Sequence, residues 1–499
     1  MTTDLTIGNV ADYYAKIKRQ ALNQYGRGDF NACIHTMDTA ALFAQITNRI
    51  YVDYELEQLM GDISKKLLSQ HIDDYHSVEN RFVFYDQIGS STVLGLQYVR
   101  ALISWNVEFL YVLDKGIHTK PEQILEEVQT YSKASVIILD DEDSLVRIQQ
   151  AYRAIVNYRP QKAFLHAPAE GAVGVILWNA LAQITRYRIV PGDHHFYIGV
   201  SVTDYAIEFR NVGIKIALEK RGFRPEQILK QSYYPIVVKT AFQGFPEEVT
   251  ADKVVMFSGG AYYKTYGKND VYFKLLERLL NENPKLVILI AGTGADLPYR
   301  KFIKKHGFQK RLILLGYRKD LSALLTKIDI YLGTYPFVGG LMSQYAAVSA
   351  KPILQYATDE IAINSLEGII GGEENSPVEC ADMNQFFSYA KQLIEDKSFR
   401  EQRGVEMSTR IITVAQFNSN LKELIMSNTY SIDVSKLPII NYQAILDLYL
   451  DVANRYTYAL DSVLLSRYSV FAPLYFPKMF LRFLFNAFLW NKVIAKLKR

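Results

Sequence analysis

The feature that most restricts this chain is an alternation that runs once and then starts again. "RFVFYDQ", "VEFLYVLD", "ASVIILDDE" and "KAFLHAP" are short apolar runs, with helical stretches such as "SLVRIQQAYRAIVNY" and "EGAVGVILWNALAQI" between them. "YRIVPGDHHFYIG" and "YAIEFRN" follow as further short strands. The pattern restarts with "KVVMFSGG", "KLVILIAGTG", "RLILLGY", "IDIYLGTYP" and "PILQY". Strands this apolar leave no face for water, so helices must cover both sides of a parallel sheet. At 499 residues the chain also exceeds what one core supports. The expectation is an α/β protein with two doubly wound units, 79–245 and 246–430. Their strand carboxyl ends face each other across a cleft, where ligands of open sheets bind.

Both flanks read as helical. In residues 1–78, "YYAKIKRQALNQYGRGDFNACIHTMDTAALFAQ" resembles one tetratricopeptide-like helix pair. A cap on the neighbouring sheet and a binding repeat both fit it. In 431–499, Lys478, Arg482 and Asn486 recur every fourth residue of "KMFLRFLFNAFLWNKVIAKLKR", and Lys492, Lys496 and Arg499 continue the line. Residues 473–499 therefore read as a helix lying on an anionic membrane surface. Burial against the body, with the cations at its edge, is the rival reading. The net charge of +4 gives no case for nucleic acid, and Cys33 and Cys380 alone make no disulfide framework. No signal sequence and no apolar run of about 20 residues is evident. A cytoplasmic protein, peripheral on the inner face of the cell membrane, is expected.

Chemistry is foreshadowed in "YLGTYPFVGGLMSQYAAVSAKPILQY". A helix opens there after Gly339 and Gly340 with no acidic residue in its first turns, although a helix start normally attracts one. The unpaired amides around Gly340, Leu341 and Met342 suit a phosphate or diphosphate, which supplies the missing negative charge. Ser258, Gly259 and Gly260 end the first strand of the same unit, and Lys264 follows within reach of such an anion. The turn bearing Gly292 and Gly294, and the backbone of Gly316, Tyr317 and Arg318, lie at neighbouring strand ends, where they can meet a nucleotide base.

In this order, these motifs resemble the nucleotide-sugar domain of GT-B glycosyltransferases, in the branch of the O-linked N-acetylglucosamine transferases and the cytoplasmic bacterial N-glucosyltransferases. "DHHFYIG…DYAIEFRNVG" resembles a segment of related bacterial sugar transferases. The resemblance implies two facing Rossmann-like domains. It implies a UDP-sugar donor, with Lys264 and the Gly340 loop on its diphosphate, and no cofactor or bound metal. The acid that holds the ribose in that branch aligns with Tyr345. The two Glu of many retaining enzymes align with Phe337 and Tyr345, so an inverting transfer is expected.

Inversion needs a base for the acceptor hydroxyl. Asp193 and His194 are the first candidates, with His195 beside them; metal ligation is the rival use of such a cluster. His166 and Glu170, at another strand end, stand second. The turn bearing Gly89, Ser90 and Ser91 is a possible acceptor seat. The expected reaction moves a hexose or N-acetylhexosamine to a hydroxyl of a lipid-linked glycan. A protein acceptor, or an inactive partner subunit that binds glycan or a catalytic transferase, stays open.

Overall fold

Strand β9 (Leu286–Ala291) is buried along its whole length. A strand with no polar alternation belongs in the middle of a covered sheet, and β9 pairs in parallel with a neighbour on each side. A computed structural model describes residues 5–68, 75–89, 93–115, 122–371, 378–456, 464, 467–468 and 472–484. It holds two parallel sheets. The first contains β1 (Val78–Asp86), β2 (Glu108–Asp114), β3 (Ala134–Leu139), β4 (Pro160–His166), β5 (Thr185–Ile189), β6 (Tyr205–Glu208) and β7 (Ile228–Lys230), in the order β3-β2-β1-β4-β5-β6-β7. The second adds β8 (Val254–Gly259), β10 (Leu312–Gly316), β11 (Ile330–Leu332), β12 (Ile353–Tyr356) and β13 (Glu379–Cys380) to β9, in the order β10-β9-β8-β11-β12-β13. In each sheet the order reverses beside the first strand, between β1 and β4 and between β8 and β11. Such a reversal parts the connecting helices and opens a crevice at the strand carboxyl ends.

The N-terminal helices Ile7–Gly26, Phe30–Thr47 and Tyr54–Leu67 spend polar groups on the first sheet's loops. Asp38 accepts from the Ala172 amide at 2.9 Å. Asn48 donates to the His194 carbonyl at 2.9 Å. Glu57, buried, accepts from the amides of Gly199, Val200 and Ser201 at 2.6–2.9 Å. Of the two uses open to this region, the packing is that of a cap.

The C-terminal part of the chain returns to the first sheet. Helix Val414–Ser427 falls within 246–430, but it buries Phe417, Leu421 and Ile425 in a core shared with Tyr98 and Phe164. Helix Tyr442–Tyr456 then crosses both units: Ile445, Leu448 and Val452 join the second sheet's core, while Leu450 and Ala453 join the first's. The last described stretch corrects the expected polarity of the tail. Arg482, expected among the headgroup-facing cations, is turned inward and donates to Asn454 at 3.2 Å, beside buried Phe476 and Met479. Leu474, Tyr475, Leu481 and Leu484 are the exposed apolar residues of this stretch. Lys478 is exposed as expected, and residues 485–499 lie outside the described residues.

Glu57→Ala strands three backbone donors in an apolar interior. Its melting temperature should fall by about 5 °C or more. Glu282→Ala, which breaks an exposed pair with Arg278, should move it by less than about 2 °C. Thermal unfolding followed by circular dichroism tests both.

Candidate functional site

The crevice of the second sheet is built from backbone first. β8 ends at Gly259, and Gly260 continues with φ +139°, a conformation open mainly to glycine. The Gly260 amide bonds the Ala291 carbonyl at 3.0 Å, and the Tyr262 amide bonds that of Thr293 at 2.9 Å. The Gly292 amide bonds the Gly316 carbonyl at 2.9 Å. The loops after β8, β9 and β10 are thereby stitched side by side. A Cβ on Gly292 would stand 2.1 Å from the Gly260 oxygen, so the stitching admits no side chain there.

Helix Gly340–Val348 follows β11 and faces this platform. Gly339 caps it without a side-chain bond, and its first turn holds no acid. The Ser343 amide already bonds the Gly339 carbonyl at 2.9 Å. The amides of Gly340, Leu341 and Met342 precede that first helical bond and find no acceptor among the described residues. Lys264 reaches the same place: its ammonium donates to the Val338 carbonyl at 3.2 Å, one residue before the cap. No carboxylate of the described residues pairs with it. Burial, and secondarily Arg210, push the Lys264 pKa down, as expected for a cation without a counter-ion. A half-buried ammonium beside three unaccepted amides has the chemistry to hold an anion.

The opposite wall comes from the first unit. Asp193 is fully buried after β5, and the Arg210 guanidinium clasps it with Nε to Oδ2 at 2.6 Å and Nη2 to Oδ1 at 3.1 Å. Burial alone would raise the Asp193 pKa, but Arg210 and His194 outweigh it and hold the carboxyl far below its usual range. An ionised Asp193 accepts a hydrogen bond from the Nδ1–H of His194 at 2.9 Å, which leaves Nε2 with its lone pair. Burial holds the His194 pKa below that of ordinary imidazole; Asp193 opposes this, while Arg210 and Lys264 assist it. The two walls touch here. His194 packs 6.3 Å from Phe337 of the second unit and 6.3 Å from Tyr449 of the crossing helix. Phe337 in turn meets Tyr263 at 5.9 Å and Tyr449 at 5.5 Å. The structure thus gathers Asp193, His194, Lys264 and the glycine loops into one crevice.

Other expected positions fall elsewhere. The Tyr345 hydroxyl donates to the Ile236 carbonyl, in the segment that joins the two sheets, at 2.9 Å. His166 is fully buried against Asp86, whose carboxylate also accepts from the Ile88 and Gly89 amides. It shapes the turn after β1 and is not open to a substrate. Glu170 is buried, and burial raises its pKa. His195 turns away under the N-terminal cap, 3.4 Å from Gln45, with its pKa pushed down to about 3 by burial and by His194. The Arg318 side chain is spent on Asp320 and the Gly244 carbonyl, while Tyr317 stands 70% exposed. Ser90 and Ser91 lie outside the described residues. Arg210 and Tyr449 were not anticipated. Arg210 looked like the end of the strand "YAIEFRN", and only its place just before a helix hinted at more; Tyr449 is brought in by a crossing that no local pattern announces.

Solved structures share this fold. HepE of Anabaena, in complex with UDP and glucose, superposes with a TM-score of 0.51 at 15% identity, over 70% of this chain and 100% of that one. A mutant O-GlcNAc transferase of Thermobaculum terrenum gives 0.52 at 12%, over 85% and 82%. A glycosyltransferase of Rickettsia africae gives 0.51 at 11%, over 70% and 98%. The fold is GT-B. No protein-family model matches the chain, and no curated protein sequence does. Two doubly wound sheets flanked by helices are what the strand alternation led one to expect, and GT-B is what the motif resemblance implied. The crevice of the second sheet is the one that holds Lys264 and the Gly340 helix.

If these loops form an anion seat, inorganic diphosphate should raise the melting temperature. Gly292→Ala, by forcing the Gly260 loop aside, should weaken diphosphate binding by about tenfold or more. Unchanged affinity by calorimetry would count against the stitched loops as the seat.

Proposed function

We propose that this protein is an inverting glycosyltransferase. It transfers a hexose or N-acetylhexosamine from a UDP-sugar to a hydroxyl of a lipid-linked glycan. The observation that carries the reading is the convergence of an uncompensated cation and three open amides with a base-competent His194 in one GT-B crevice. The structures of HepE with UDP and with UDP-glucose lend support to uridine as the donor's nucleoside.

In the proposed reaction, the diphosphate sits on the amides of Gly340, Leu341 and Met342 against the Lys264 ammonium. As the bond from the sugar's anomeric carbon to the diphosphate breaks, charge builds on the leaving oxygen, and those groups already point at it. No metal or other cofactor is assigned a part. His194 Nε2 takes the acceptor hydroxyl proton while the alkoxide attacks from the opposite face. Asp193 keeps the imidazole in the right tautomer. Its own oxygens are committed to Arg210 and His194, so it is a poor base.

The acceptor assignment rests on the C-terminal helix. Leu474, Leu481 and Leu484 face outward there with Lys478, and the sequence beyond is basic. That face suits an anionic bilayer, which would bring the protein to a lipid-borne substrate. No helix among the described residues is long and apolar enough to cross a membrane.

Of UDP-, GDP-, TDP- and CMP-sugars, UDP compounds should raise the melting temperature, and Lys264→Ala should lose most of that shift. His194→Ala should keep UDP affinity but lower turnover by about a hundredfold or more. For the wild type, kcat/KM should stay high below pH 6.5, because a base with a lowered pKa remains unprotonated in more acid solution. An acid limb at or above about 6.5, the value for free imidazole, would remove His194 from the role. For the membrane, the triple change of Leu474, Leu481 and Leu484 to Ser spares the buried Phe476 and Met479, which a truncation would remove. It should abolish sedimentation with phosphatidylserine vesicles, and persistent binding would refute this surface.

A further inference from the structure

The guanidinium of Arg210 has four acceptors in two units. Besides both oxygens of Asp193, it donates through Nη1 to the Ser365 carbonyl at 2.6 Å and through Nη2 to the Ile363 carbonyl at 3.1 Å. Those carbonyls belong to the segment that follows β12 in the second sheet. Gly368 lies against the same residue: a Cβ there would come within 2.6 Å of the Arg210 Cβ, and its φ is +75°. The Arg210 side chain is fully buried, so the contacts are not a surface pair of little worth.

We propose that Arg210 is the positioning residue of the His194 site: it clamps Asp193 to the second unit and cancels that carboxylate's charge, so that Asp193 orients the imidazole without charging it. This rests on the reading of His194 as the base. An Asp–His pair left to itself favours imidazolium, since the carboxylate attracts the added proton. Here the bidentate arginine takes that attraction first, and the orienting bond survives without it.

The other groups facing His194 do not reproduce this effect. On its own loop stand Asp193 and His195. From the segment after β8 come Lys264 and Tyr263. Tyr449 faces it from the crossing helix, and Asn48 of the N-terminal cap bonds its backbone carbonyl. Arg221 donates to the Asp193 and His195 carbonyls at 2.8 Å each. Below the loop, Glu208 is buried, and burial above all pushes its pKa up to about 8, so near neutral pH it adds little negative charge. Among the described residues, Arg210 is the cation whose side chain bonds the Asp193 carboxylate.

The test is the titration of the His194 ring by NMR in the full-length protein without substrate, assigned with His194→Asn. In the wild type the ring should titrate below the free value of about 6.5. In Arg210→Gln it should rise past that value, by about one unit or more overall. In Asp193→Asn, with the arginine unopposed, it should fall further. Arg210→Lys keeps the charge and should stay near the wild type. Mere loosening of the site would bring every variant toward 6.5 and none beyond it. A rise in Arg210→Gln that stops at the free value, or Asp193→Asn moving upward, would overturn the proposal. If Arg210→Gln does not fold, the opposite directions expected for Asp193→Asn and for simple solvent exposure still decide. No sugar transfer is needed for this titration. A ring that behaves as described in a protein that never turns over would leave Arg210's role standing and sink the enzyme reading instead.

Discussion

One unbalanced charge organises this molecule. The ammonium of Lys264 lies half-buried with a carbonyl for company and, among the described residues, no carboxylate, next to a helix start whose amides find no acceptor among those residues. Proteins rarely leave a cation in that condition, because desolvation costs several kcal/mol unless a partner or ligand returns it. Everything that surrounds it suits an anion. The glycines at 259, 260, 292 and 339 keep side chains out, and the loops are stitched so that the backbone holds its place. The same positive field falls on His194 across the cleft, where it helps keep the imidazole neutral. The proposed donor seat and the proposed base are thus electrostatically one site, though they stand on different sheets.

Much of the fold could be read from the sequence, because fully buried parallel strands have a pattern that little else imitates. "KLVILIAG" yields β9, and the restart at "KVVMFSGG" yields the second sheet. The turn at Gly339 and Gly340 was legible for a related reason: a helix that opens without an acid departs from a strong electrostatic preference. What stayed hidden depends on long-range geometry. Helix Val414–Ser427 has an ordinary amphipathic pattern, and nothing in it says that its apolar face belongs to the first sheet and not the second. His166 and Glu170 look like site residues because they end a strand, but burial is decided by what packs over that end; Gly95 of the helix Val93–Ser104 lies directly against the His166 ring. The inward turn of Arg482 is of the same kind. The cationic line was visible, while the partner, Asn454, is 28 residues away.

The crossing helix Tyr442–Tyr456 explains why the two units form one crevice. It places alternate apolar residues in two cores, so neither can move without disturbing a buried contact in the other. Tyr449 lies between those anchors and rests against His194 and Phe337. Arg210 adds a polar tie at the opposite edge, from Asp193 to the carbonyls of Ile363 and Ser365. The cleft is held by an apolar hinge on one side and a charged clasp on the other.

The departures from the retaining pattern have a physical meaning in this setting. Where a carboxylate would stand in those enzymes, Phe337 fills the space between His194, Tyr263 and Tyr449 and is itself buried. A carboxylate in that apolar cage would lack partners and would be held protonated. Tyr345 likewise donates its hydroxyl to the segment that joins the two sheets. Among the described residues, the second wall of the crevice thus presents a cation and amides but no carboxylate or imidazole. In the proposed reaction, proton acceptance then falls to the first wall, where Asp193 is saturated by Arg210. His194 keeps one ring nitrogen outside its bond to Asp193, and that division of labour is what the proposed attack from the far side of the sugar would use.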